Sequence, residues 1–344
     1  MKLKILSLFT GIGAFERALK NIGIECEVVG FSEIDKYAIK SYCAIHNEDE
    51  RKNLGDITKI DAKLLKQVSS AASIEIDIIT HGSPCQDFSV AGKQAGAEKG
   101  SGTRSSLMWY TVDIVQQIKP KYVIWENVKN ILSKKHKHNF NNYIEMMSQL
   151  GYNNYYQILN AKDYGIPQNR DRVYTISIRK DIDNKQFEFP EKEELKIRLK
   201  DILEAEVDEK YYLSEKMQDY VLDFNNKQRG TAWEGRADEE KLNTNIAHAI
   251  GVRSAGGNQR AGVSNFVIDG YCDEIKVKDL KQKIKNATNS EDPYIVASRG
   301  RNPDNPSSRK AEKVNSNAQL YKQAGNSIVV NVLEKIFKNL LLEE

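Results

Sequence analysis

No stretch of eighteen consecutive apolar residues occurs in this 344-residue chain, which excludes an ordinary membrane-spanning helix. The amino terminus, Met1-Lys2-Leu3-Lys4, lacks the apolar region of a secretory signal. Cysteine is scarce: Cys26, Cys43, Cys85 and Cys272 lie far apart, with no C-x-x-C pair. That spacing argues against a zinc site and a disulfide framework, and it favours reduced thiols in a cytoplasm. A strong charge of one sign is missing too, since the net charge is only +3, and charge alone names no partner. The sequence has no internal repeat. With 40% hydrophobic and 29% charged residues it reads as globular. Its length exceeds what one core usually serves, so two lobes are expected.

What is present is an alternation of short apolar runs and helical periodicity. Residues 3–9 form an apolar run that ends in Thr10-Gly11-Ile12-Gly13, and a helical pattern follows through Phe15, Ala18, Leu19 and Ile22. Residues 28–31 read as a second strand ending at Ser32-Glu33, after which Asp35 caps a helix toward His46. Residues 74–80 and 122–125 read as buried strands flanking an amphipathic segment at 107–118, and residues 173–178 are again strand-like. This order predicts an α/β fold with a doubly wound, mostly parallel sheet. After Arg179 the chain turns polar and rich in asparagine and glycine, with strand-like pieces such as Phe266-Val267-Ile268. Apolar helical periodicity returns at 328–342. The simplest reading is one lobe interrupted by a smaller insertion.

The densest chemistry lies in Thr80-His81-Gly82-Ser83-Pro84-Cys85-Gln86-Asp87-Phe88-Ser89. Proline and glycine force a loop at the strand's carboxyl end, where open α/β sheets bind ligands, so Cys85 is placed to attack something. The turn at Gly11 and Gly13 suits close approach of a ligand, and equally a structural turn. A dinucleotide fingerprint needs a third glycine at position 16, where Glu16 stands. An acid at a helix start is a poor neighbour for a pyrophosphate, which favours an uncharged or cationic nucleoside over NAD. Glu33 can accept from ribose hydroxyls and Asp56 from an adenine amino group, although each also suits a helix cap. Glu126, in Trp125-Glu126-Asn127-Val128, leaves a strand where a carboxyl group can exchange a proton near neutrality. Arg170 and Arg172, in Pro167-Gln168-Asn169-Arg170-Asp171-Arg172, should share a face and offer forks to a carbonyl or phosphate, or pair with Asp171.

In order along the chain, the glycine turn, the strand-end acid, Pro-Cys-Gln, Glu-Asn-Val, Gln-x-Arg-x-Arg and Gln323-Ala324-Gly325-Asn326-Ser327 resemble the DNA (cytosine-5)-methyltransferases of bacteria and phages. The resemblance covers roughly residues 1–180 and 319–344. It implies a Rossmann-like, S-adenosylmethionine-dependent methyltransferase sheet over residues 1–185. A smaller and shortened target-recognition region would occupy 186–318, and residues 319–344 would return to the catalytic domain. It further implies Cys85 as nucleophile toward carbon 6 of a flipped-out cytosine. Glu126 would act at ring nitrogen 3, Arg172 at the position-2 carbonyl, and Arg170 in support. Phe9, Gly11, Gly13, Glu33, Asp56, Asn326 and Ser327 would line the cofactor pocket. The loop from Ser89, with Gln94 and four glycines up to residue 105, would close over DNA beside Pro84 and Gln86.

Two groups of basic residues stand outside this scheme. Lys134-Lys135-His136-Lys137-His138 is a cationic run that suits phosphates or plain solvent, and its two histidines lack companions for a metal site. Arg253 and Arg260 flank a glycine-rich stretch in the insertion that suits base reading in a major groove, or an ordinary polar loop. The sequence departs from the family at Ser7, where an acid is usual, and at Ala14, where a glycine is usual. An Arg-x-Leu-Thr-Pro-x-Glu block before the last motif is missing, and Asn315 lies in the short run that replaces it. The expected partner is double-stranded DNA, with a cognate restriction endonuclease as a functional rather than physical partner, no membrane partner and a monomeric, cytoplasmic, nucleoid-associated chain. Transfer RNA as substrate and a non-catalytic nucleic-acid-binding relative are the alternatives.

Overall fold

The computed structural model describes residues 2–71, 74–88, 95–202, 246–248, 266–268, 295–297, 315, 323–324 and 326–342. Strands β1 (Leu3–Leu8), β2 (Cys26–Ser32), β3 (Ile78–His81), β4 (Tyr122–Val128), β5 (Tyr152–Asn160) and β7 (Asp171–Arg179) form a six-stranded sheet in the order β2-β1-β3-β4-β7-β5. The β1–β2, β1–β3 and β3–β4 pairs are parallel, while β7 runs antiparallel to both β4 and β5. Helices α1 (Ala14–Asn21), α2 (Lys36–His46), α3 (Ala62–Ala71), α4 (Met108–Ile118), α5 (Lys137–Gln149) and α6 (Val330–Leu341) accompany it.

The central strands β3 and β4 are almost wholly buried because both faces of the sheet are covered there, whereas edge strand β5 is largely polar and partly exposed. Successive side chains point to opposite faces, which splits neighbouring residues between two cores. Ile5, Val28, Ile78, Ile124 and Ile176 pack with Phe15, Leu19, Tyr42, Leu333 and Phe337 on one side. Leu6, Ile79, Val123 and Trp125 pack with Met108, Val112, Val115, Phe140, Tyr143 and Met147 on the other. The carboxyl-terminal helix α6 joins the first of these cores and is tied to α1 by Asn21 Nδ2 donating to Glu334 Oε1 at 2.6 Å.

Several boundaries differ from the sequence reading. β3 starts at Ile78 rather than at 74. Asp77 instead serves the amino edge of the sheet, accepting from Lys121 Nζ at 2.7 Å and from the Lys4 amide at 2.9 Å. β4 runs on through Val128, so Glu126 lies within the strand rather than beyond it. β7 begins at Asp171, which puts Arg172 inside a strand. Asp35 caps α2 as expected, accepting from the Tyr37 amide at 2.9 Å. Beyond Ile202, three short strands are described: β8 (Ala247–His248), parallel to β6 (Gln168–Asn169), and β9 (Phe266–Ile268), antiparallel to β10 (Ile295–Ala297). Ser89, Gln94, Arg253 and Arg260 lie outside the described residues.

Candidate active site

The turn after β3 carries Cys85 to the carboxyl edge of the sheet. Neighbouring strand β4 fixes that turn from the side: Trp125 Nε1 donates to Ser83 Oγ at 3.0 Å, and Asn127 Nδ2 donates to the Ser83 carbonyl at 3.2 Å. The Phe88 amide donates to the Cys85 carbonyl at 3.0 Å and closes the turn. Pro84 and Cys85 are half-buried and Gln86 is exposed. No role follows from sequence for Asn127, yet it is buried and holds the Cys85 turn. Its one legible signal is polarity at the end of an apolar strand.

Glu126 and Arg172 meet across the antiparallel β4–β7 pair. Glu126 lies opposite Tyr174, and Val128 lies opposite Arg172. All four positions share one face, so Glu126 and Arg172 are diagonal neighbours. Arg172 Nε lies 3.0 Å from Glu126 Oε1. Arg170 is buried just before β7, and its Nη2 donates to the Ser327 carbonyl at 2.8 Å. Burial and the adjacent Arg172 push the Arg170 guanidinium down to about 10, so it stays charged at neutrality.

Burial raises the pKa of the Cys85 thiol, and the Glu126 carboxylate adds to the rise, while Arg172 and Arg170 oppose it. All three charged groups therefore act on the one thiol. With the thiol held protonated at rest, its reactivity rises with pH or with arrival of a proton acceptor. Gly82 lies between Ile328 and Glu126: a Cβ there would stand in ordinary contact, 3.5 Å from Ile328 Cδ1 and 3.8 Å from Glu126 Oε2. Ile328 thus reaches the Gly82 end of this turn and Ser327 meets Arg170, whereas Asn326 is exposed.

A second cradle lies at the same edge, above β1 and β2. Thr10 Oγ1 bonds the Ser32 carbonyl at 3.2 Å, and Phe9, Gly11 and Gly13 all have positive φ. Glu33 bridges the two turns, accepting from the Gly11 amide at 2.9 Å, the Ile34 amide at 2.8 Å and the Asp35 amide at 2.9 Å. The two glycines differ. A Cβ on Gly11 would meet nothing within 4 Å, so that turn faces open space. A Cβ on Gly13 would fall 2.2 Å from His46 Nε2, so Gly13 makes room for α2. Asp56 caps a short 3-10 turn, one carboxylate oxygen accepting from the Thr58 amide and hydroxyl, both at 2.9 Å. Ser7 bonds the Thr80 hydroxyl at 3.1 Å, a neutral link between β1 and β3.

Beside Glu33, the Ile34 side chain is 74% exposed, an apolar surface at the lip of the cradle. It escapes sequence reasoning because one apolar residue between two acids has no periodicity. Among the described residues no group of three or more His, Cys, Asp or Glu side chains could hold a metal ion.

Comparison with solved structures gives the class. The S. pombe Dnmt2 methyltransferase superimposes with a TM-score of 0.70 at 20% identity, covering 99% of this chain and 98% of that one. The sheet is that of the S-adenosylmethionine-dependent methyltransferases. Residues 3–342 match the C-5 cytosine-specific DNA methylase family, and the chain belongs to that family. The orphan methyltransferase M.Rho11sI of Bacillus phage rho11s is 43% identical over 242 residues, and the match covers 62% of this chain and 46% of that protein. The chain therefore spans about half the length of that relative. The type II methyltransferase M2.ScrFI of Lactococcus lactis subsp. cremoris is 35% identical over 398 aligned positions, covering 98% of this chain and 99% of that protein.

Proposed function

We propose that this protein methylates carbon 5 of cytosine in double-stranded DNA through a covalent adduct with Cys85. The observation that carries this reading is the Glu126–Arg172 pair, 3.0 Å apart and set beside the turn of Cys85, with buried Arg170 just before β7. Carbon 5 of cytosine is too electron-poor to accept a methyl group directly. Addition of the Cys85 thiolate to carbon 6 forms a carbon–sulfur bond and pushes the ring electrons toward carbon 5, making it nucleophilic. Glu126 holds or supplies the proton at ring nitrogen 3 as charge develops there. Arg172 fixes the position-2 oxygen and holds Glu126 in place. After methylation, loss of the carbon 5 proton restores the double bond and expels the thiolate.

The cradle at Gly11 fits S-adenosylmethionine on three counts. It has space against the backbone at Gly11, Glu33 brings a carboxylate that could accept from ribose hydroxyls, and exposed Ile34 could offer an apolar face to a purine. Bound there, that cofactor supplies the electrophilic methyl group. Phe9, Gly11, Glu33 and Asp56 would hold it, while Ser327 serves Arg170. The target base must leave the duplex to reach Cys85. Residues 186–318, including Arg253 and Arg260, are assigned to target recognition, and Ser89, Gln94, Pro84 and Gln86 to the DNA-facing loop. A shortened recognition region belongs to this assignment, on the sequence ground that the block before the last motif is missing. The relatives' names, one an orphan phage enzyme and one a type II enzyme, support action in a phage or restriction–modification setting. The chain is assigned as a cytoplasmic monomer.

Bisulfite sequencing of DNA from cells expressing the chain tests this. A methylated cytosine context should be present with the wild type and absent with Cys85→Ala. Methylation that survives in Cys85→Ala, or that is found in RNA and not in DNA, overturns the reading.

A further inference from the structure

From Asn127 to Ile144 the chain contains no carboxylate, while it contains four lysines and two histidines. The structure shows where this segment lies. It leaves β4 directly after Glu126 and Asn127, passes through Lys129 and Asn130, and turns at residues 133–136 into α5. His136 is 1% exposed, and its ring stands edge-on to Phe88 with centroids 5.4 Å apart. Asn130 Nδ2 donates to the Phe88 carbonyl. Phe88 is the residue whose amide closes the Cys85 turn. The segment is therefore pinned twice to the nucleophile's own turn.

With His136 directed inward, its neighbours in sequence face out. Lys134, Lys135 and Lys137 are exposed, as are Asn141 and Asn142 one turn further along α5. Six other described lysines have a carboxylate within 4.0 Å, among them Lys129 with Asp171 at 3.0 Å. Lys134, Lys135 and Lys137 have none among the described residues. At the end of the run, Glu98 Oε1 lies 3.6 Å from His138 Nε2. Three uncompensated charges within four positions equal the net excess of the whole chain, +3.

We propose that Lys134, Lys135 and Lys137 form a phosphate-binding edge for the DNA strand that presents its base to Cys85. This rests on the methyltransferase reading above. A base extruded from a duplex swings about its own backbone, so its flanking phosphates stay at the mouth of the pocket. A cationic edge pinned to the nucleophile's turn meets that backbone without reading sequence, and exposed asparagines add donors of the kind that serve phosphate and sugar oxygens. His136 is the buried keel that keeps the three ammonium groups facing outward.

The test is the salt dependence of duplex DNA affinity, read by fluorescence anisotropy for the full chain. The comparison is between K134Q/K135Q/K137Q and the control K20Q/K119Q, whose lysines lie at the amino-terminal end of the strands. Each lost phosphate contact should flatten the slope of log affinity against log salt by about 0.9, so the triple variant should lose between about 2 and 3 in slope. The control should match the wild type. All substituted side chains are exposed, and equal melting temperatures would show equal folding. A slope unchanged in the triple variant, an equal change in the control, or a change seen only with transfer RNA overturns the proposal. Methylation by the wild type is measured on the same DNA. Its absence beside a flattened slope would remove the methyltransferase reading and leave the phosphate edge standing.

Discussion

Gly11 and Gly13 lie two positions apart on one turn, yet a side chain at each would meet different surroundings. Gly13 has φ +81° and faces His46 Nε2, so Gly13→Ala forces both backbone strain and displacement of a packed ring. It should lower stability by ~2 kcal/mol or more, measured by urea unfolding. Gly11→Ala, at φ +58° with open space ahead, should cost about 1 kcal/mol in the same assay. It should instead weaken S-adenosylmethionine binding, read by calorimetry. Equal losses of stability would show that the two glycines do the same job. The Cys85–Glu126–Arg172 group carries a separate expectation. Because burial and Glu126 hold the thiol up, kcat/KM should rise with pH above neutrality as the thiolate forms. Arg172→Gln removes a group that lowers the thiol's pKa, so the rise should move to higher pH and kcat at pH 7 should fall ~10²-fold or more. A pH profile identical to the wild type would detach Arg172 from the nucleophile.

At the scale of elements, the turn that carries Cys85 is closed by a small set of bonds. The Asp87 amide donates to Ser105 Oγ and the Ser105 amide donates to Asp87 Oδ2, both at 3.1 Å, while the Gly96 amide donates to the Asp87 carbonyl at 3.2 Å. Asp87 and Ser105 are buried, so an amide left without its acceptor costs about 1–3 kcal/mol. Asp87→Ala should speed hydrogen exchange at the Ser105 amide, with Asp87→Asn restoring most of the protection. Unchanged exchange at Ser105 in Asp87→Ala would mean that this link does not hold the turn. Asp87 was visible in the sequence only as part of a motif, and its partner was not. A second link of the same kind joins α2 to the run that replaces the missing block. Asn315 Nδ2 donates to the Tyr37 carbonyl and to Ser41 Oγ, and Ser41 Oγ donates to Gln323 Oε1, each at 2.8 Å. Asn315 and Gln323 are thereby fastened to α2 by polar bonds.

For the whole molecule, His81 sets an expectation about acid. It is fully buried, stacked on Trp125 with planes 3° apart, and bonded through Nε2 to the Tyr143 hydroxyl at 3.1 Å. Burial holds its pKa down at about 3 against an ordinary 6.5. Between those values the unfolded chain binds a proton that the folded chain does not, so stability rises with pH across the window. The contribution is complete above the unfolded value, and it is lost as pH falls from about 6.5 toward about 3, by up to about 1.4 kcal/mol per pH unit. Urea unfolding at pH 5 and pH 7 measures the loss, and His81→Gln should flatten it. An equal pH dependence in that variant would assign the acid sensitivity elsewhere.

Much of this was legible in the sequence because it is local. Apolar runs bounded by glycine, proline and acids announce strands ending in turns, and the order of short blocks announces the family. Cys85 at a strand end, the cap at Asp35 and the return of α6 all follow from residues close to one another along the chain. Other features depend on groups brought together by the sheet. The pairing of Arg172 with Glu126 is a matter of β4–β7 register, and a shift of one residue would turn the two to opposite faces. Arg170 meets a carbonyl 157 positions away, at Ser327. The distinct duties of Gly11 and Gly13 come from α2, which fills the space beside one and leaves the other open. The exposure of Lys134, Lys135 and Lys137 follows from His136 being buried against Phe88. By itself the sequence determined the reactive groups and the strands that carry them. Only the tertiary structure decided which of them touch, because register and packing between distant segments leave no local pattern to read.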